Sequence, residues 1–207
     1  MESTLINLIP RFFDVTKGEI LVNGVDVRKI KQHKLRDEIG YVPQKAVLFS
    51  GTIDSNIRYG AEGATKEDIR EAASIAQAME FIESKPDKFK TEIAQGGTNV
   101  SGGQKQRLSI ARALAKKPKI FIFDDSFSAL DLKTDAKLRK ELKSKTKEAT
   151  VLIVAQRIST ILNADQIIVL DEGKVVGRGT HSELMKDCEV YKQIALSQLS
   201  KEELDNE

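Results

Sequence analysis

Residues 120–125 read IFIFDD, and this run constrains the fold more than any other. Four apolar side chains in succession, without alternation, suit a strand covered on both faces, as in a parallel sheet. Parallel neighbours need crossover connections, most often helices. The flanking sequence supplies them. QKQRLSIARALAKK (104–117) carries Leu108, Ala111 and Ala115 with Ile110 and Leu114 at helical spacing, and Pro118 stops it. A helical pattern over 134–147 follows IFIFDD, and then comes a second apolar strand, TVLIVAQ (150–156). Strands alternating with helices predict an α/β core.

The remaining elements are fitted around that core. Leu5, Ile6, Leu8 and Ile9 predict a short buried helix ending near Pro10. KGEILVNGVDV (17–27) predicts a hairpin turning at Asn23-Gly24, and EIGYVPQ (38–44) a strand ending at Pro43. From Thr52 to about residue 89 the pattern is helical, with Thr65 and Asp68 spaced as a capping pair. AQGGTNVSGGQ (94–104) is a glycine-rich loop. DQIIVLDEGKVVGRG (165–179) predicts two strands joined at Glu172-Gly173, and a polar helical tail comes after them, with 189–207 expected to fray. The expected division is a discontinuous α/β core over 1–51 and 101–180, a helical subdomain over 52–100 and a tail over 181–207.

Composition narrows the function classes. The 207 residues carry 33 Lys and Arg against 31 Asp and Glu, a formal charge of +2, which makes no case for a nucleic-acid partner. The lysines of KSKTK (143–147) read as a solvated helix face. The single cysteine, Cys188, excludes an internal disulfide, and it has no basic neighbour in sequence to activate it. His33 is expected to be exposed, and His181 to serve a structural or surface role beside a capping Thr180; the two histidines have no metal-site spacing. The apolar runs are too short to span a bilayer, and the opening residues lack a signal-peptide pattern. Membrane contact is therefore expected through a partner or through a part of the protein outside this sequence.

Three kinds of site residue stand out. Ser101 sits at the N-cap of a long helix, and Gly102, Gly103 and Gln104 come next, so helix N–H groups and dipole can meet an anion there; a plain capped helix is the other reading. Asp124 and Asp125 end a buried strand, where α/β sheets bind ligands. Asp124 could hold Mg²⁺ and Asp125 lie beside an attacking water; a polar turn is the other reading. Gln44, Asp131 and Gln156 each leave an apolar strand or open the next turn, and singly each reads as a surface residue.

Taken together these motifs resemble the nucleotide-binding domain of an ATP-binding-cassette (ABC) transporter of the exporter type, from position 3 to about 194. VSGGQKQR (100–107) matches the signature motif, IFIFDD the Walker B strand, SALD (128–131) the D-loop, YVPQ (41–44) the Q-loop and VAQRIST (154–160) the switch loop. VLFSGTIDSNIRYG (47–60) and TEIAQGG (91–97) resemble exporters in particular, which argues against the stand-alone ABC proteins of translation or DNA repair. The resemblance implies a P-loop NTPase-like core with an inserted helical subdomain. It also implies ATP and Mg²⁺ as ligands, with Ser3, Thr4, Gln44, Ser101, Gly102, Gly103, Gln104 and Asp131 on the nucleotide and Ser3, Gln44 and Asp124 on the metal. Asp125 and Gln156 take the catalytic positions.

Three departures qualify it. STLINLIPRFF (3–13) matches the segment just after the lysine of a phosphate loop, but the glycine cradle and the strand before it are missing, and Glu2 stands at the lysine position; the chain is expected to be N-terminally truncated and to bind ATP poorly by itself. A sheet lacking that inner strand is expected to leave unpaired backbone and exposed apolar surface. The base position holds Asp125, one methylene shorter than the family's glutamate, and the switch position holds Gln156 in place of a titratable histidine. With an intact signature, the pattern resembles the degenerate half of a heterodimeric exporter. Such a half pairs with a second nucleotide-binding domain and with transmembrane domains at the cytoplasmic face of the membrane. An active homodimeric ATPase, or a docking module that does not bind ATP alone, are the alternatives.

Overall fold

The computed structural model describes residues 2–198. In chain order the elements begin with α1 (Glu2–Ile6), a hairpin of β1 (Leu21–Val22) and β2 (Val25–Asp26), α2 (Gln32–Asp37) and β3 (Ile39–Val42). Then come β4 (Gly51–Thr52), α3 (Ile53–Arg58), α4 (Lys66–Ile75), α5 (Met79–Glu83), β5 (Glu92–Ile93), α6 (Gly102–Ala115) and β6 (Ile120–Asp124). The last part holds α7 (Leu132–Lys145), β7 (Thr150–Val154), α8 (Ile158–Ile161), β8 (Ile167–Asp171), β9 (Lys174–Gly179), α9 (His181–Asp187) and α10 (Glu189–Gln198).

IFIFDD forms the centre of a three-stranded parallel sheet, β3-β6-β7. Its register sets Tyr41 against Ile122 and Val42 against Phe123 on one side, and Asp124 against Val154 on the other. Ile122 and Phe123 are fully buried, as an uninterrupted apolar run demands. α6 packs across this sheet. Gly40 of β3 marks how closely: a Cβ there would lie 2.7 Å from the Pro118 ring and 3.2 Å from the Ala113 carbonyl.

Local sequence explains several helix starts. Thr52, Thr65, Ser101 and Thr180 each close a reciprocal capping box at the head of α3, α4, α6 and α9. Both hairpin turns fall where the sequence places them, with positive φ at Asn23 and Gly24 (51° and 76°) and at Glu172 and Gly173 (45° and 81°).

The core has three parts. The largest joins the mid-chain helices to the sheet through α6: Ile53, Ile57, Ile69 and Ile82 pack with Leu108, Ile110, Ala111 and Phe123. A second joins α1 and the first hairpin to the sheet through Ile6, Val27, Leu35, Ile39 and Ile122. A third holds the C-terminal elements together through Ile158, Ile167, Leu184, Cys188, Tyr191 and Ala195.

Three expectations are corrected or completed. α1 ends at Ile6 rather than near Pro10, and Leu5 is 44 % exposed, because one turn of helix can present only one side to the core. The tail is not loose over 189–198: α10 is a helix seated by Tyr191 and Ala195, both buried, while 199–207 lie outside the described residues. His181 is buried, with Nδ1 2.7 Å from the Tyr191 hydroxyl, so its role is structural.

Among the described residues β7 pairs on one edge only, and β8 pairs only with β9. Val151 of β7 is 38 % exposed. Along β7 at Thr150 and Leu152 lies a groove of about 580 Å³ whose apolar lining also includes Leu5, Ile9, Ile20, Val22 and Ile120. Among the described residues no helix is long and apolar enough to cross a membrane.

Candidate functional site

Asp124 and Asp125 stand at the carboxyl end of β6, both buried. The backbone turns between them. Asp125 takes φ 44°, a left-handed conformation that Asp tolerates better than most residues, while its N–H still donates to the Val154 carbonyl at 2.9 Å. The two carboxylates then serve different partners. Ser3 Oγ donates to Asp124 Oδ1 at 2.8 Å. The Tyr41 hydroxyl lies 3.2 Å from Asp124 Oδ2 and 2.9 Å from Asn7 Oδ1, and its single proton serves one of them at a time. Gln44 Nε2 donates to Asp125 Oδ2 at 3.1 Å. Burial first, and then the Asp124 charge, pushes the Tyr41 phenol up to about 12.

The loop after Asp125 is also tied down. Ser128 Oγ donates to the Asp125 carbonyl at 2.8 Å, and the fully buried Ser126 hydroxyl donates to the Val42 carbonyl at 2.8 Å. At its end Asp131 caps α7, accepting from Thr134 N–H at 2.9 Å, and Thr134 holds the Asp131 carboxyl below its usual range.

The α6 N-terminus is built differently. Ser101 Oγ accepts from Gln104 N–H at 3.2 Å, and Gln104 Oε1 accepts from Ser101 N–H at 3.1 Å. These side chains therefore hold each other, and the groups aimed outward are the N–H groups of Gly102 and Gly103, the first two of the helix. A Cβ on Gly102 would meet nothing, whereas one on Gly103 would come 3.5 Å from the Ala129 carbonyl of the loop after the acids. Lys105 Nζ donates to the Gly96 carbonyl at 2.9 Å, closing the glycine-rich loop onto the helix.

The structure thus brings two bonded pairs, Ser3–Asp124 and Gln44–Asp125, to the same strand end. Ser101 to Gln104 and Asp131 lie on separate helix ends, Thr4 is exposed on α1, and Gln156 is exposed at the end of β7. The side chain of Glu2 lies outside the described residues. Sequence reading missed Tyr41, Asn7 and Ser126. Tyr41 was within reach of it: in YVPQ it is the strand neighbour of the buried Val42, so the pleat sends it to the other face.

A hydroxyl, a carboxylate and an amide oxygen are hard donors that suit Mg²⁺, an ion held by few protein groups and completed by water and phosphate. Among the described residues no three of His, Cys, Asp and Glu gather where a metal could sit, so this lean donor set is what those residues offer. The Ser3–Asp124 pair fits the ion. For the nucleotide, the described residues offer the outward N–H groups of Gly102 and Gly103 at the head of α6, groups suited to a phosphate oxygen.

Comparison with known proteins identifies the family. Residues 2–128 match the family model described as "ABC transporter". An uncharacterized ABC transporter ATP-binding protein of Mycobacterium bovis is 48% identical over 200 residues, covering 95% of this chain and 34% of the relative. The ATP-dependent lipid A-core flippase of Desulfotalea psychrophila is 44% identical over 185 residues, covering 89% of this chain and 32% of the flippase. A solved bacterial Atm1-family ABC exporter with ATP bound superposes with a TM-score of 0.93 at 38% identity, covering 97% of this chain and 35% of that one. The chain spans about a third of the length of these relatives. With a family match over residues 2–128 and a fold shared with a solved exporter, the chain belongs to the ABC transporter family as an ATP-binding domain.

Proposed function

We propose that this chain is the ATP-binding part of an exporter, and that its two site halves serve two different ATP molecules. The observation that carries the reading is the contrast between them. The signature end offers the Gly102 and Gly103 N–H groups outward from a self-capped helix of 14 residues, a ready seat for an anion brought by another molecule. The acid end, by contrast, is buried and internally bonded, with the base-position Asp125 engaged by Gln44.

On this reading Ser101, Gly102, Gly103 and Gln104 complete the hydrolytic site of a second nucleotide-binding domain, and the Asp125 and Gln156 departures beside an intact signature make the assembly a heterodimer. Ser3 and Asp124 hold the Mg²⁺ of the chain's own site, and Gln44 reports its occupancy. When bound, the ion neutralises phosphate charge and orients the nucleotide. Asp125 is one methylene short of a glutamate, and a displacement of roughly 1 Å can cost about 100-fold in rate. Gln156 can donate a hydrogen bond but cannot take up a proton. In the full-length protein, the chain's own site is therefore one that binds ATP but turns it over slowly or not at all.

The loop after Gln44 leads to an exposed cluster suited to meeting transmembrane domains at the cytoplasmic face of a membrane. Val47, Phe49 and Tyr59 are 55 %, 44 % and 61 % exposed. Arg112 lies against both rings and donates to Asn56 and to the Val47 carbonyl, which stiffens the patch.

The test uses the full-length protein purified with its partner cassette. Ser101→Arg, which places a long cation over the outward N–H groups, is expected to lower ATP turnover on the order of 100-fold. Asp125→Glu alone is expected to change it modestly. Unchanged turnover in Ser101→Arg would sink the division of labour, and robust hydrolysis by the chain's own full-length homodimer would replace it with a symmetric ATPase.

A further inference from the structure

Gln156 leaves β7 on an exposed loop, yet that loop is not free. Gln198, the last residue of α10, grips it with both ends of its side-chain amide. Oε1 accepts from the Ile158 N–H at 2.9 Å, and Nε2 donates to the Gln156 carbonyl at 2.8 Å. A side-chain amide carries a donor and an acceptor side by side, so it pairs with a backbone strip much as a neighbouring strand would.

The need for such a grip is visible in α8. That helix has four residues, too few to stand alone. Its N-cap, Arg157, makes no side-chain cap bond, and the first helical N–H, that of Ile158, has no intrahelical acceptor in any helix. Gln198 supplies it from 40 residues away. The two parts are also packed together, since Ile158 shares an apolar cluster with Tyr191 and Ala195 of α10.

From the gripped loop a continuous bonded path runs to the acid end. Arg157, between the two clamped groups, sends Nη2 to the Ser128 carbonyl at 3.3 Å, and its Nη1 is buried without a hydrogen-bond partner. Ser128 in turn bonds the Asp125 carbonyl.

We propose that Gln198 is a positioning residue that sets the Gln156 loop against the nucleotide site, so that the C-terminal helix and the site are mechanically coupled. The positioning role rests on the functional reading above, whereas the clamp itself does not.

The test is amide hydrogen exchange and Mg²⁺-ATP binding on the full-length protein with its partner, comparing wild type, Gln198→Ala and Gln198→Glu. The alanine variant is expected to speed exchange of the Ile158 amide roughly fivefold or more, while the amides around Tyr191 and Ala195 stay protected. The glutamate variant keeps an acceptor for Ile158 N–H but loses the donor to Gln156, so it should fall between the two. Mg²⁺-ATP affinity should weaken in the same order. Unchanged Ile158 exchange in Gln198→Ala overturns the clamp. Faster exchange with unaltered Mg²⁺-ATP affinity overturns the positioning role. Should wild type itself bind no Mg²⁺-ATP, the functional reading fails and the exchange result alone decides the clamp.

Discussion

The two halves of the site are stabilised on different length scales. At the α6 N-terminus the capping bonds join residues three apart, Ser101 and Gln104. At the β6 end, Asp124 and Asp125 are held by Ser3, Tyr41 and Gln44, which lie 121, 83 and 81 positions away. The first half can form wherever its helix forms. The second exists only when β3, β6 and α1 have already been brought together. On the proposed reading, such a site has one robust seat, set by local chemistry, and one seat whose geometry reports the state of the whole sheet.

Perturbing the sheet is the strongest way to break this contrast. Phe123 is fully buried in β6, next to the acids, and stacks with Phe121. Phe123→Ala should cost about 3–5 kcal/mol in denaturant unfolding. It should also loosen the acid end, seen as faster exchange of the Asp125 amide, while protection of the α6 first turn changes less. Equal loosening at both ends would show that the two halves are not independent.

A smaller change sharpens it. Tyr41→Phe removes one hydroxyl from the acid end at a cost of about 1 kcal/mol. It also removes a pH dependence. The folded phenol is pushed from its usual 10 up to about 12, so the folded protein keeps a proton that the unfolded chain has lost in that interval. The associated stability is complete below about pH 10 and drains away as pH rises through about 12. Wild type should lose stability over that window more steeply than Tyr41→Phe, as read by urea midpoints across the range; parallel slopes would remove the Tyr41–Asp124 contact from the account.

The smallest effect is expected at the local seat. Ser101→Gly should lower stability by only a few tenths of a kcal/mol, because glycine is itself an acceptable N-cap. If the functional reading holds, the same change should reduce turnover of the paired protein far more than it reduces stability. Thermal unfolding and turnover measured on one preparation separate the two.

The sequence was legible where the physics is short-ranged. IFIFDD implied a doubly covered parallel strand because an unbroken apolar run has no wet face. Thr65, Ser101 and the Asn23-Gly24 and Glu172-Gly173 turns declared themselves because caps and tight turns depend on residues within about four positions. Even Asp124 stood out as a candidate from its place at a strand end. The company it keeps could not be read. Tyr41 faces Asp124 because β3 lies beside β6 in the register that sets Tyr41 against Ile122. Gln198 reaches Ile158 because α10 folds back onto α8 through Tyr191 and Ala195. By itself, then, the sequence determined the elements, their caps and turns and the motif residues that give the family away, since each is a matter of local spacing. Only the tertiary structure decided which distant side chains bond the two carboxylates and which helix holds the Gln156 loop, because strand order, register and helix packing are properties of the whole chain.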